Sequence, residues 1–372
     1  MDLSKCQCEK AGFCPVFCRS MDAKNHEWCK KTNTQKRQRY EASNNGNDLQ
    51  TRYIDLVKKS YHLPPVYRIP KNIEEVEIVT FHFNTSGSKR LQETYAEWIE
   101  SLGNLGKYVK CYEIVFDDRD REIKNSILIR GSLEKHCLWQ KESLLNLAFC
   151  NISTNKKYFA WIDHDLPFSN QNWLIESIQK LESGNDLVQL FEEVVYLDQK
   201  AIVSHRSVGR SKKMKNLNVK FQSRNAHGCP GGGWMGRVET LKNIFPVPSI
   251  VIGSGDEWLA YGFYGTKNIS KPMQDQLDVY SLDVQDSLMC YLDKISNMKL
   301  NIGFTSGKCY HLWHGDPKNR QYTTRHQVLG KYNFHPDTDT FVNKDGILEL
   351  SGTKPGIEKD ILRYFTERKE DG

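Results

Sequence analysis

Between residues 75 and 118 the chain switches twice between the two periods that specify regular structure. Val76-Glu77-Ile78-Val79-Thr80-Phe81-His82-Phe83 is β-branched and aromatic, the composition of a strand. A loop follows, Asn84-Thr85-Ser86-Gly87-Ser88, and then Leu91, Tyr95, Trp98, Ile99 and Leu102 recur at helical spacing. Residues 108–116 return to strand character and end in Asp117-Asp118. Strand, helix and strand with joins this short predict a βαβ unit, and with it a parallel sheet covered by helices. Such sheets bind ligands beyond the carboxyl ends of their strands. Asn84, Asp117 and Asp118 are therefore expected at a site.

The pattern continues. A helix is expected over residues 138–148, a buried strand at Tyr158-Phe159-Ala160-Trp161-Ile162, a helix over 172–183 and a strand over 186–191. The Tyr158 strand runs directly into Asp163-His164-Asp165. Side chains two apart on a strand share a face, so Asp163 and Asp165 are expected to converge on one cation. Hard oxygen ligands suit Mg²⁺ or Mn²⁺, ions that also hold substrate phosphates. The competing reading is that acidic residues simply end strands in turns.

Three clusters mark the second half. His227-Gly228-Cys229-Pro230-Gly231-Gly232-Gly233-Trp234 offers glycines for close backbone approach and an indole to stack on a sugar ring or seal a pocket; taken alone, it reads as a flexible turn with a core Trp. Gly253-Ser254-Gly255-Asp256-Glu257 puts two carboxylates at an expected helix N-terminus, where negative charge is also favoured as capping. Cys309-Tyr310-His311-Leu312-Trp313-His314-Gly315-Asp316 reads as a strand ending in His and Asp, followed by Arg320, Tyr322 and Arg325. Two histidines about a Trp, then arginines, suggest a third metal ligand and phosphate partners.

At 372 residues and 38% hydrophobic content the chain can bury a full core. A net charge of +6 does not by itself call for nucleic acid. Basic runs at 30–39 and 205–224 fit solvated faces; the segment 201–215 fits either a mobile loop or the border of an anionic acceptor's site. No apolar stretch is long enough to span a bilayer and no secretory h-region is visible, so a cytoplasmic protein is expected. Of eleven cysteines, Cys6, Cys8, Cys14, Cys18 and Cys29 crowd the first thirty residues. In a reducing compartment such a cluster predicts metal before disulfides, with structural Zn²⁺ ahead of an iron–sulfur cluster or unligated thiols. The other six are expected in the core. The expected organisation is a cysteine-rich module at 1–40, a linker at 41–72, the α/β domain at 73–330 and a C-terminal extension at 331–372. That extension is expected to pack on the sheet's flank and to carry no chemistry.

In this order the motifs resemble the GT-A class of nucleotide-sugar glycosyltransferases, in its family-2-like and β-1,4-galactosyltransferase-type branch, including members encoded by phages and other viruses. The likeness runs from about Glu75 to Arg325. It rests on Phe81-His82-Phe83-Asn84, Trp139-Gln140-Lys141-Glu142 with Asn146, Asp163-His164-Asp165 as the family's DxD, Gly231-Gly232-Gly233-Trp234, Gly253-Ser254-Gly255-Asp256-Glu257 and His311-Leu312-Trp313-His314-Gly315. The resemblance implies a Rossmann-like mixed sheet flanked by helices and an inverting, metal-dependent sugar transfer from a nucleotide donor, UDP-sugars first. Asp163, Asp165 and His314 would hold Mn²⁺ or Mg²⁺, the imidazole favouring Mn²⁺. Asp256 or Glu257 would be the general base, and the galactosyltransferase branch has a longer acidic stretch at this point. Lys141, Arg320 and Arg325 would contact phosphate, with Asn84, Asp118 and Asn146 as further donor contacts. Gly232, Gly233 and Trp234 would form the sugar platform. The acceptor would be a glycan or a modified nucleotide, and a viral protein would work in the host cytoplasm. The cysteine module lies outside the family pattern. Two other readings stay open: a nucleotidyltransferase on the same acidic pair, and a nucleic-acid-binding protein carrying a zinc module on an inactive GT-A scaffold.

Overall fold

The computed structural model describes residues 63–64, 66–217, 228–248, 250–265 and 269–372. The cysteine module, the basic run at 30–39, most of the linker, residues 218–224 of the second basic run and His227 lie outside the described residues. Twelve strands occur among the described residues: β1 Val76–Phe83, β2 Val109–Phe116, β3 Ile127–Gly131, β4 Tyr158–Ile162, β5 Leu187–Gln189, β6 Glu193–Leu197, β7 Val203–Val208, β8 Gly233–Arg237, β9 Ile302–Phe304, β10 Lys308–His311, β11 Thr340–Val342 and β12 Leu348–Leu350. The helices that matter here are α1 Lys89–Ser101, α2 Lys141–Cys150, α3 Trp173–Glu182, α4 Arg210–Leu217, α5 Gly255–Tyr264, α6 Leu282–Asn297 and α7 Ile357–Glu367.

Seven strands form the central sheet in the order β3-β2-β1-β4-β8-β5-β9. All run parallel except β8, which is antiparallel to both of its neighbours, β4 and β5. The expected α/β class, a mostly parallel mixed sheet under helices, is what the structure shows. Period-2 alternation divides β1 and β4 between two cores. Val76 and Ile78, with Tyr158, Ala160 and Ile162, pack beneath Trp98 of α1 and Trp173, Leu174 and Ile178 of α3. Val79 and Phe81, with Phe159 and Trp161, pack beneath Leu144, Leu145 and Phe149 of α2, Leu259 and Phe263 of α5 and Ile295 of α6. Helices therefore cover both faces, as the continuous apolar character of β1 and β4 requires.

A second sheet, β10-β6-β7, and the β11–β12 hairpin complete the strands. Several expectations change here. Gly233-Trp234 is not a turn: it opens β8, in register Trp161↔Trp234 and Ile162↔Gly233. The basic segment 201–215 forms β7 and most of α4, and three of its cations are paired, Arg206 with Glu193 at 3.1 Å, Arg210 with Glu257 at 2.9 Å and Lys212 with Glu192 at 3.0 Å. Of the six scattered cysteines, Cys111, Cys137 and Cys309 are buried, whereas Cys150 and Cys290 are exposed and Cys229 is half-buried. Cys150 ends α2 and Cys290 lies on α6, so neither is held in the core. Residues 331–372 add α7, whose Ile361, Tyr364 and Phe365 pack with Leu138, Val251 and Ile252. Among the described residues no helix is long and apolar enough to cross a membrane.

Candidate functional site

Strand polarity builds the site. The parallel strands β1 and β4 end at the same edge of the sheet, and β8, running the other way, starts there. The Gly232 carbonyl consequently accepts from the Asp163 amide at 2.8 Å. β10 is stitched to the chain just after β4, by Leu312 N to Asp165 O at 2.8 Å and Tyr310 N to Pro167 O at 2.9 Å. A cleft of about 240 Å³ opens at this edge, lined in part by Lys141, Asp163, Asp165, Asp256, His314 and Arg320.

Its centre is Asp165, 8% exposed. Asp165 Oδ2 lies 2.9 Å from His314 Nε2 and 3.3 Å from His311 Nε2, and the two imidazoles stack at 5.3 Å between centroids. Ligand atoms of all three residues fall within 4.8 Å of one another. Asp165 Oδ1 is buried with no hydrogen-bond partner among the described residues. Burial opposes ionisation of Asp165, but His311 and His314 outweigh it and hold the carboxyl below its usual range. Burial pushes the His311 imidazole down to about 4, so it is neutral at pH 7 with a lone pair available. A buried carboxylate with an open oxygen beside two imidazoles, that of His311 neutral, is a donor set for a divalent cation of the Mn²⁺ type.

Asp163 is placed differently from the expectation. β4 ends at Ile162, and residues 163–165 turn, so strand alternation no longer aligns the two carboxylates. Asp163 Oδ1 instead meets Lys141 Nζ at 2.6 Å, on the same cleft wall. Burial raises the Asp163 carboxyl, with Lys141 opposing.

Across the cleft stands Asp256, in the first turn of α5. A Cβ on Gly231 would sit 2.0 Å from Asp256 Oδ2, and one on Gly255 would sit 1.9 Å from Glu142 Oε1. Those two glycines are the space into which the carboxyl groups fit. Glu142 is buried, and burial pushes its carboxyl up to about 8. Glu257 turns away to Arg210, whose Nη2 donates to both of its oxygens at 2.9 and 3.0 Å. Arg320 Nη2 approaches His314 Nε2 at 2.9 Å, and Arg325 Nη2 donates to Ser254 Oγ at 2.5 Å.

Other expected residues lie elsewhere. Asn84 is buried behind the cleft, bonded to Ser88 and Glu122. Asp118 is exposed and does not line the cleft. Asn146 holds the backbone of Val247 through both amide groups. Trp234, 3% exposed, is a core residue rather than a platform: its indole packs edge-on to Phe263 and donates to Pro230 O at 2.9 Å. Gly232 lines the cleft and Gly233 pairs with Ile162. The sequence marks His311 and His314 together, but the resemblance assigns only His314 as a ligand; Arg368 and Glu370 reach the cleft from the extension with no local motif to mark them.

His326 buttresses this wall, its Nε2 3.4 Å from Ser254 Oγ, with Nδ1 unpartnered among the described residues. Burial, reinforced by Arg325, pushes its imidazole down to about 3. The unfolded chain binds this proton near pH 6.5 and the folded chain does not. Stability is therefore complete above that pH and falls as pH drops toward 3. Urea unfolding of the protein should show about 3 kcal/mol lost to this group by pH 4, and His326→Gln should flatten that part of the profile.

No family model and no curated protein matches the sequence. Among solved structures, the chain is similar to glucosyl-3-phosphoglycerate synthase from Mycobacterium tuberculosis in complex with Mn²⁺, UDP and phosphoglyceric acid, at 14% identity over 72% of this chain and 84% of that one, with a TM-score of 0.33. It is similar also to the catalytic domain of Drosophila β1,4-galactosyltransferase 7 in complex with xylobiose, at 12% identity over 75% and 98%, with a TM-score of 0.32. A third similarity is to CMP:2-keto-3-deoxy-manno-octonic acid synthetase complexed with CTP, at 8% identity over 63% and 90%, with a TM-score of 0.29. These likenesses are too distant to assign a role to any residue here.

Proposed function

We propose that this protein is a divalent-metal-dependent glycosyltransferase of the GT-A class, moving a sugar from a nucleoside diphosphate donor to an acceptor hydroxyl with inversion. The observation that carries the reading is the Asp165–His311–His314 cluster, with its open buried carboxylate oxygen, in one cleft with Asp256. Asp165, His311 and His314 would hold Mn²⁺ or Mg²⁺, with Asp163 on the same wall. The ion would supply Lewis-acid neutralisation of the departing diphosphate. Lys141, Arg320 and Arg325 supply fixed positive charge for phosphate oxygens. Asp256 accepts the proton of the acceptor hydroxyl, a role for which Glu257, engaged by Arg210, is less suited. A second cavity of about 490 Å³ shares Asp256 and His314 with the cleft and is walled in part by Tyr196, His205, Trp313 and Tyr322. Aromatic faces beside the base suit the apolar faces of a sugar ring, which supports a glycan acceptor there.

The test is a panel of nucleotide sugars incubated with the protein and Mn²⁺. Release of nucleoside diphosphate that disappears with Asp165→Asn is expected. Pyrophosphate release from nucleoside triphosphate and a sugar phosphate would move the assignment to nucleotidyl transfer. Silence on both panels, with no Mn²⁺ binding, would overturn the enzymatic reading.

A further inference from the structure

The segment that follows α7 enters the cleft in a way that packing alone does not explain. Arg368 lies over the rings of Trp139 and Phe365, at 5.5 and 5.7 Å, and its Nη2 is 2.7 Å from Glu370 Oε1. Glu370, 5% exposed, brings the same oxygen 3.7 Å from His314 Nδ1, while Ser86 Oγ lies 3.4 Å from Oε2. Asp371 Oδ1 accepts from Ser88 Oγ at 2.7 Å and from the Arg90 amide at 2.8 Å, at the N-terminus of α1. Gly315 makes room for this path. A Cβ there would meet Arg368 O at 3.0 Å, Glu370 Cα at 3.1 Å and Lys369 O at 3.1 Å, and its φ of +89° disfavours any other residue. Burying a carboxylate is costly unless it is paired; Arg368 supplies the pair, and the same Glu370 oxygen is left facing His314 Nδ1.

We propose that Glu370 is a positioning residue of the cation cluster, its carboxylate keeping the proton of His314 on Nδ1 so that Nε2 presents a lone pair beside Asp165. The inference rests on the reading of Asp165, His311 and His314 as cation ligands. The charges around the ring supply the logic. Arg320 Nη2 lies 2.9 Å from Nε2 and 3.2 Å from Nδ1, so a guanidinium favours a lone pair at either nitrogen. Asp165 alone, 2.9 Å from Nε2, would draw the proton to Nε2, the position that a cation needs free. A second carboxylate at Nδ1 reverses that preference. At 3.7 Å its effect is electrostatic rather than a formed hydrogen bond. Partners at the far nitrogen of a metal-bound imidazole fix its tautomer and raise its basicity.

Two measurements on the full chain test this, with Mn²⁺ alone as the probe. Titration calorimetry should show Glu370→Ala binding Mn²⁺ about tenfold to a hundredfold more weakly than the parent, with the isosteric Glu370→Gln in between because its amide oxygen keeps only a partial negative charge beside Nδ1. Long-range ¹H–¹⁵N spectra of the metal-free protein should place a proton on His314 Nδ1 in the parent and on Nε2 alone in Glu370→Ala. Binding by Glu370→Ala within twofold of the parent would overturn the proposal. Weaker binding with the Nδ1 proton retained would overturn it as well, since a merely structural defect gives that pair. If the parent binds no Mn²⁺, or Asp165→Asn binds it as the parent does, the cluster assignment itself falls.

Discussion

Asp165→Asn should abolish both Mn²⁺ binding and release of nucleoside diphosphate, while leaving the chain folded. The substitution keeps the shape of the side chain and removes a full negative charge in contact with both His311 and His314. A neutral amide can still bond one imidazole, so the local packing survives; the electrostatic attraction for a dication does not. A metal on a departing diphosphate contributes several kcal/mol of transition-state stabilisation. Losing about 4 kcal/mol of it lowers turnover by about a thousandfold. Calorimetry with Mn²⁺ and turnover at saturating donor check the two parts separately. Treatment of the parent with a chelator should reproduce the loss, and Mn²⁺ should restore the parent but not the variant. An Asp165→Asn protein retaining a tenth of the parent's turnover would place the metal, or the reaction, elsewhere.

Asp256→Asn should separate from this by leaving the metal alone. Asp256 belongs to α5 and faces the cleft across Gly231, outside the Asp165–His311–His314 cluster. Removing a positioned general base costs about 10²- to 10⁴-fold in rate. The expected outcome is a fall of that size in kcat, with Mn²⁺ affinity and donor KM within about twofold of the parent. Glu257→Gln should do the reverse. Its carboxylate pairs with the buried Arg210 guanidinium, so its loss is expected in stability, by about 1–3 kcal/mol, and little in kcat. Steady-state kinetics beside urea unfolding of both variants reads the difference. A Glu257→Gln enzyme that folds normally and loses kcat would exchange the two roles.

Much of this architecture is local and so was legible. The β1–α1–β2 unit follows from residues whose period is set within a few positions of one another, and β4 from five apolar residues in a row. The boundary of α2 was less so. It starts at Lys141 rather than near residue 138, because the Gln140 side chain bonds the backbone of Leu348, on the β11–β12 hairpin, at 2.8 and 2.9 Å. No window around Gln140 contains that partner. The end of the glycine run is less legible: Gly233 has low strand propensity yet opens β8, because that strand is held by β4 and β5 on either side, while Gly231 and Gly232 stay outside it.

The candidate site divides along the same line. Asp163, Asp165, Asp256 and His314 stand out in the sequence as chemistry-bearing residues at the ends of regular segments. Their roles do not. Asp165 is the centre of the cluster and Asp163 the partner of Lys141 because the strand ends at Ile162, before either carboxylate that a strand-face argument needs on it. His311 joins because β10 pairs with β6 and is tied to the segment after β4. Glu370 joins because α7 docks on a core built from Leu138, Val251 and Ile252 and aims the following residues at His314. Propensity and periodicity act over one or two turns of chain, and they suffice to specify strands, helices and the sheet class. Which carboxylate meets which imidazole is a matter of contacts between segments far apart in the chain, and the energies that choose those contacts come from packing the two cores as a whole.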